Sequence, residues 1–199
     1  MFFAPLTHYL RGVIFHQGWS SRGFQVWAYT RQLYAGDDDL DAGVAQKHVI
    51  RFPHEWKEIR ESTSQQLCEH IEKICLPAVE PMTNPSEHQR DPGYVSLYLN
   101  KDPLLAPMYR FKVAVGACFD GDFDQAESLL ADFPTLAGPD DGLPDKFHVY
   151  VFRRGRYLLK LLREDRSAIP GLLHEWEAFS VKSMGLEKYW SPTPFPCDG

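Results

Sequence analysis

Two copies of the tripeptide His-Glu-Trp, His54-Glu55-Trp56 and His174-Glu175-Trp176, are the residues closest to a known chemistry. A zinc hydrolase helix needs HExxH, which stacks two histidines one turn apart and leaves the glutamate as general base. The fourth residue after His54 is Glu58, and after His174 it is Ala178, so neither copy completes the pattern. The simpler reading is a helix that buries its tryptophan and turns its acids to water. "DGDFDQAE", from Asp120, spaces Asp120, Asp122 and Asp124 as a calcium loop would. Such a loop wants glycine sixth and a bidentate glutamate twelfth. Gln125 and Ala131 stand there. Cys68, His70 and Cys75 look like a ligand trio, but on a helix His70 points away from Cys68, and core packing is the expectation. Arg153-Arg154-Gly155-Arg156 could meet a phosphate or nucleic acid; ion pairing is the preferred reading. No GxSxG, P-loop or GxGxxG occurs. No catalytic residue, cofactor or metal ligand is assigned, and a non-catalytic protein is expected.

Charge says more than motif. Between Val113 and Asp145 there is no Lys or Arg, while the window holds Asp120, Asp122, Asp124, Glu127, Asp132, Asp140, Asp141 and Asp145. A second acid-only cluster is Asp37, Asp38, Asp39 and Asp41. Acids can simply keep loops solvated. The sharper reading is an acidic surface for a basic partner, since complementary fields speed encounter and reject wrong partners. Asp120, Asp122, Asp124 and Glu127, with Asp37, Asp38, Asp39 and Asp41, are therefore the candidate partner-binding residues.

The formal charge of −6 argues against general nucleic-acid binding, which runs on clustered Lys and Arg. No apolar run approaches the ~20 residues of a membrane span. "MFFAPLTHYLRGVIF" lacks the basic start of a signal peptide, and Arg11 interrupts its apolar stretch, so it reads as the first structural element. Cys68 and Cys75, on one helix, would sit ~10 Å apart, too far for a disulfide. With Cys118 and Cys197 they read as reduced thiols of a cytoplasmic protein.

The elements that must position these residues are mostly helices. One runs from about His54 to Leu76, with Pro53 before it, Glu55 and Glu58 in its first turn and Pro77 as its stop. Its buried stripe is expected to be Trp56, Ile59, Thr63, Leu67, Ile71, Ile74 and Cys75. Residues 82–92 form a loop that joins an N-terminal half, 1–81, to a helical-hairpin half, 93–199, within one domain. Helices over 103–118 and 122–132 flank a turn at Asp120-Gly121-Asp122. Another runs from Asp145 to Glu164, and a last one, entered near Pro170, ends at Gly185. In the N-terminal third, "GFQVWAYTRQLY" and "VAQKHVIRF" suit a small β-hairpin. Helix is preferred there, with Phe24, Trp27, Arg31 and Tyr34 on one face. The fold class is mainly α: packed antiparallel helical hairpins, with room for a small β-hairpin near the start.

Two resemblances follow. "GDFDQAESLL" resembles the second helix of a tetratricopeptide-type hairpin, although no 34-residue repeat recurs. The acidic, helical, aromatic-rich chain, and above all "LLHEWEAFSVKSMGLEKYWSPTPFP", resembles the immunity proteins of bacterial polymorphic-toxin and type VI secretion systems. That resemblance implies a cytoplasmic protein that binds one toxin and blocks it, with no contact residues to carry over. Tyr189, Trp190 and Phe195, set among Pro192, Pro194 and Pro196, are expected to pack an extended segment across the last hairpin. The alternative is exposed aromatics that anchor a partner.

Overall fold

Val26 and Ala28, two residues apart, are both buried, and so is Val13 across from Ala28. That period of two is a strand's signature. In the computed structural model, which describes residues 6–17, 24–35, 47–52, 61–79, 105–133 and 146–198, the N-terminal third is a three-stranded antiparallel sheet in the order β1-β2-β3. Strand β1 is Tyr9–Gln17, β2 is Phe24–Gln32 and β3 is Lys47–Phe52. Tyr9 pairs with Gln32 and Gln17 with Phe24; a bulge between Val26 and Ala28 interrupts the second pairing. The helix preferred from sequence for residues 24–34 is thus corrected. β-branched and aromatic residues pack well on a pleated surface, and three such segments pair with one another.

The sheet's inner face, Val13, Val26 and Ala28, packs on Leu67, Ile71 and Cys75. These come from α1, Glu61–His70, and the π-helical turn Ile71–Cys75 that continues it. Pro77 does not stop the helix, which runs on as α2, Leu76–Val79. A proline's ring would collide with the carbonyl four residues back, here Lys73. Lys73 lies inside the π turn, where the Leu76 N–H reaches back to the Ile71 carbonyl and the coil is wider. The extra residue also changes the buried face: Ile71 and Cys75 are buried, but Ile74 is 41% exposed, against expectation. Cys68 is exposed rather than core. Trp56 and Ile59 lie outside the described residues.

The remaining helices are α3, Leu105–Phe119; α4, Phe123–Leu130; α5, Lys146–Glu164; and α6, Ile169–Ser183. The described chain is therefore mainly helical, as expected. Helices α3, α4 and α5 pack on one another. Phe111 of α3 meets Trp176 of α6 with ring centroids 5.8 Å apart, and Phe133, just past α4, meets Phe152 at 5.2 Å. Gly155 sits where α5 passes the Phe133 ring: a Cβ there would collide with three ring atoms. Helix α6 closes with Gly185 N–H to the Lys182 carbonyl and Leu186 N–H to the Val181 carbonyl, a Schellman cap.

The chain divides into two compact units. One comprises residues 1–33, 37–83 and 181–191; the other comprises 34–36, 84–180 and 192–199. Val181–Ser191 thus belongs with the sheet, not with the helical hairpins that precede it in sequence. The C-terminal aromatics follow this division. Leu6 N–H donates to the Tyr189 carbonyl at 2.7 Å and Ser191 N–H to the Leu6 carbonyl at 2.9 Å, so Trp190 is bridged to Leu6. Trp190 packs on a cluster of Leu6, Leu10, Leu33 and Val181. Only Phe195 packs in the helical unit, and Tyr189 is 37% exposed. Of the three aromatics expected to lie across the last hairpin, Phe195 meets His174 of α6, and Trp190 meets that helix at its end, through Val181, within the sheet's unit. Among the described residues no helix is long and apolar enough to cross a membrane.

Candidate functional site

The α3–α4 turn is built from three residues with no slack. Asp120 N–H still donates to Gly116, as in a continuing helix. Gly121 then adopts φ +81°, a left-handed conformation that costs glycine least. Gly121 N–H reaches the Cys118 carbonyl at 3.1 Å and Asp122 N–H the Ala117 carbonyl at 2.9 Å, which completes a Schellman cap on α3. Asp122 then caps α4: its Oδ1 accepts the Gln125 N–H at 3.1 Å. One residue thus ends one helix and starts the next.

This tip carries the acids singled out in the sequence. Asp120 and Asp122 are exposed, and the Asp124 side chain is 88% exposed. The charge is not left to stand alone. Arg166 donates to Asp124 at 2.8 Å and to Glu127 at 3.1 Å, and Arg163 donates to Glu127 at 3.2 Å. Arg110 donates to Asp132 at 2.8 Å. Hydrogen bonds to Asp124 and then Glu127 hold the Arg166 guanidinium above its ordinary pKa. Arg166 is itself fixed by a bond from its Nε to the Leu162 carbonyl at 2.9 Å. All three arginines lie outside the cation-free window, which is why a linear count overstates its field. The result is a braced, acid-rich tip with Asp120, Asp122 and Asp124 facing water. The structure brings Asp120, Asp122, Asp124 and Glu127 together; Asp37, Asp38, Asp39 and Asp41 lie outside the described residues.

The other sequence candidates resolve into packing. Trp176 is buried, Glu175 is exposed, and His174 Nε2 lies 3.1 Å from Asp198 Oδ2. His54-Glu55-Trp56 is outside the described residues. Arg154 of the basic run lies 4.0 Å from the Tyr150 ring centroid, 4.7 Å from Trp176 and 5.4 Å from Phe179, and it donates to the Ala35 carbonyl at 3.2 Å. That is a cation–π stack within the helical unit. Several groups gave no sequence signal. Lys112, Glu177 and Ser180 are polar yet buried, and each falls among apolar neighbours that read as core. Cys118 and Cys197 are near enough to interact. Burial first, then the charge of Cys197, pushes the Cys118 thiol far up; burial first, then Asp198, pushes Cys197 up to about 11. At neutral pH both are therefore protonated thiols, poor nucleophiles.

No protein-family model, curated protein or solved structure matches this chain.

Proposed function

We propose that this chain is a non-catalytic, cytoplasmic immunity protein that neutralises a secreted bacterial toxin by docking a basic surface of it on the α3–α4 tip. One observation carries the reading: the acids of the tip are held by contacts within the chain, Asp122 as the N-cap of α4 and Asp124 and Glu127 on Arg166 and Arg163. The double use of Asp122 and the arginine braces fix the acids in place, so little ordering entropy remains to be lost on association. Acids at an interface rim act mainly on association rate, through a field that salt screens over ~8 Å.

The experiment is to co-purify the partner and measure its association with wild type and with Asp122→Asn/Asp124→Asn across ionic strength. Asparagine keeps the N-cap and removes the charge, so the helix stays intact. Association should slow at low salt and converge with wild type at high salt. Equal rates at every ionic strength would remove the tip from the interface and move attention to Asp37–Asp41. A helical-hairpin adaptor is the second reading. It is favoured by Ala126, a small residue fully buried on α4 that lets neighbouring helices approach closely. Several weak partners in place of one tight one would support it.

A further inference from the structure

Phe195 is only 3% exposed, although Pro194 and Pro196 on either side of it face water. Its ring stands edge-on to Tyr34 at 5.8 Å and to Phe119 at 5.3 Å, and lies 4.2 Å from the His174 ring. Three residues later, the Asp198 carboxylate accepts the Phe195 N–H at 2.6 Å and sits 3.1 Å from His174 Nε2. Asp198 N–H closes the loop on the Phe195 carbonyl at 3.0 Å. His174 therefore reads both groups, the aromatic with its face and the carboxylate with its edge. Tyr34 and Phe119 also stack on each other at 4.7 Å, so the socket walls have a contact that does not involve the occupant.

We propose that the Tyr34–Phe119–His174 socket is a recognition site for a proline-rich protein segment bearing an aromatic followed three residues later by a carboxylate. In this structure the chain's own Phe195-Pro-Cys-Asp198 fills it. The chemistry of the occupant defines the ligand. One deeply buried aromatic supplies the anchor, and one carboxylate on a histidine sets the register. Pro192 and Pro194 restrict the approach to the anchor and Pro196 opens the 3-10 turn Pro196–Asp198 that brings the carboxylate back to it, so seating the segment costs little conformational entropy. Pro192, Pro194 and Pro196 face water while Phe195 and the Asp198 carboxylate turn inward, as in a bound peptide and unlike a core strand. A tethered occupant competes at an effective concentration on the order of millimolar. The socket thus rejects weak ligands and yields only to a partner segment that binds more tightly or is presented in several copies.

The test starts from folded full-length protein. A protease-cleavable linker is inserted between Ser191 and Pro192, both exposed, and is cut after purification. The released segment should leave on dilution while the far-ultraviolet spectrum of the body is kept. A fluorescein-labelled peptide of sequence SPTPFPCDG should then bind saturably, and at least about tenfold more weakly to uncut protein, whose own segment occupies the socket. An Ala-Thr-Pro-Phe-Pro-Ala-Asp peptide should compete. Peptides with Phe195→Ala or Asp198→Asn should not, and His174→Ala in the body should weaken binding without altering its spectrum. A segment that stays bound and never exchanges with excess peptide would overturn the proposal. So would unfolding of the body when the segment leaves, or equal competition by the Asn variant, by a scrambled peptide or by the designed peptide's Ala-for-Phe form.

Discussion

Gly155 carries an unusual weight for the smallest side chain. Replacing glycine by alanine inside a helix normally gains up to ~1 kcal/mol. Here the new methyl would strike the ring of the fully buried Phe133, and overpacking a tight core costs ~1–3 kcal/mol. Gly155→Ala should therefore lower stability in urea unfolding, and should lose that penalty in a Phe133→Leu background. Equal effects in both backgrounds would show that the ring yields. Cys197 offers a second test. Its thiol titrates near 11 in the folded protein against an ordinary 9.0, because burial disfavours the thiolate. The folded state then holds its proton where the unfolded state has lost it, so this contribution is intact below about pH 9 and lost as pH rises through 11. The fall in stability from pH 9 to 11 should be shallower in Cys197→Ser than in wild type. Parallel slopes would contradict the burial of the thiol.

The α3–α4 hairpin and the sheet show which elements a sequence discloses. Asp120-Gly121-Asp122 carries its meaning in three adjacent residues, because caps are local, and the turn and both helices were legible. Strand pairing is not local. Whether Val26 and Ala28 lie in a helix or a strand depends on Val13 and on Lys47–Phe52, and nothing within residues 24–34 states that. The π turn was hidden for another reason: Pro77 reads as a stop unless the coil before it has widened. The site was half legible. Its acids were visible, but the arginines that brace them arrive from elsewhere in the chain. Asp122→Ala should cost about 1 kcal/mol through loss of the cap, while Asp122→Asn should be nearly neutral. Equal losses in the two variants, read from thermal unfolding, would mean that charge and not capping sets the stability of the turn.

At the scale of the whole molecule, the C-terminal aromatics serve separate units. Trp190 packs with Leu6, Leu10, Leu33 and Val181, whereas Phe195 packs with Tyr34 and Phe119. Truncating a buried aromatic costs ~3–5 kcal/mol, a large part of the ~5–15 kcal/mol that holds a domain together. Trp190 is only half-buried, so its share should fall below that range. Hydrogen exchange should separate the two roles. Trp190→Ala should speed exchange around Leu6 and Leu10 and leave α3 unchanged; Phe195→Ala should do the reverse. Loss of protection throughout in both variants would show one cooperative body.

The membership of Val181 and Trp190 in the sheet's unit also sets a timetable. A chain made from its N-terminus exposes Leu6, Leu10 and Leu33 early, and Val181 and Trp190, which pack on them, are added only after residues 84–180 of the helical unit have been translated. At ~5–20 residues per second, these leucines wait on the order of ten to thirty seconds for cover. Over that interval the sheet's unit stays unfinished. Its apolar edge is available throughout to any chaperone at the ribosome.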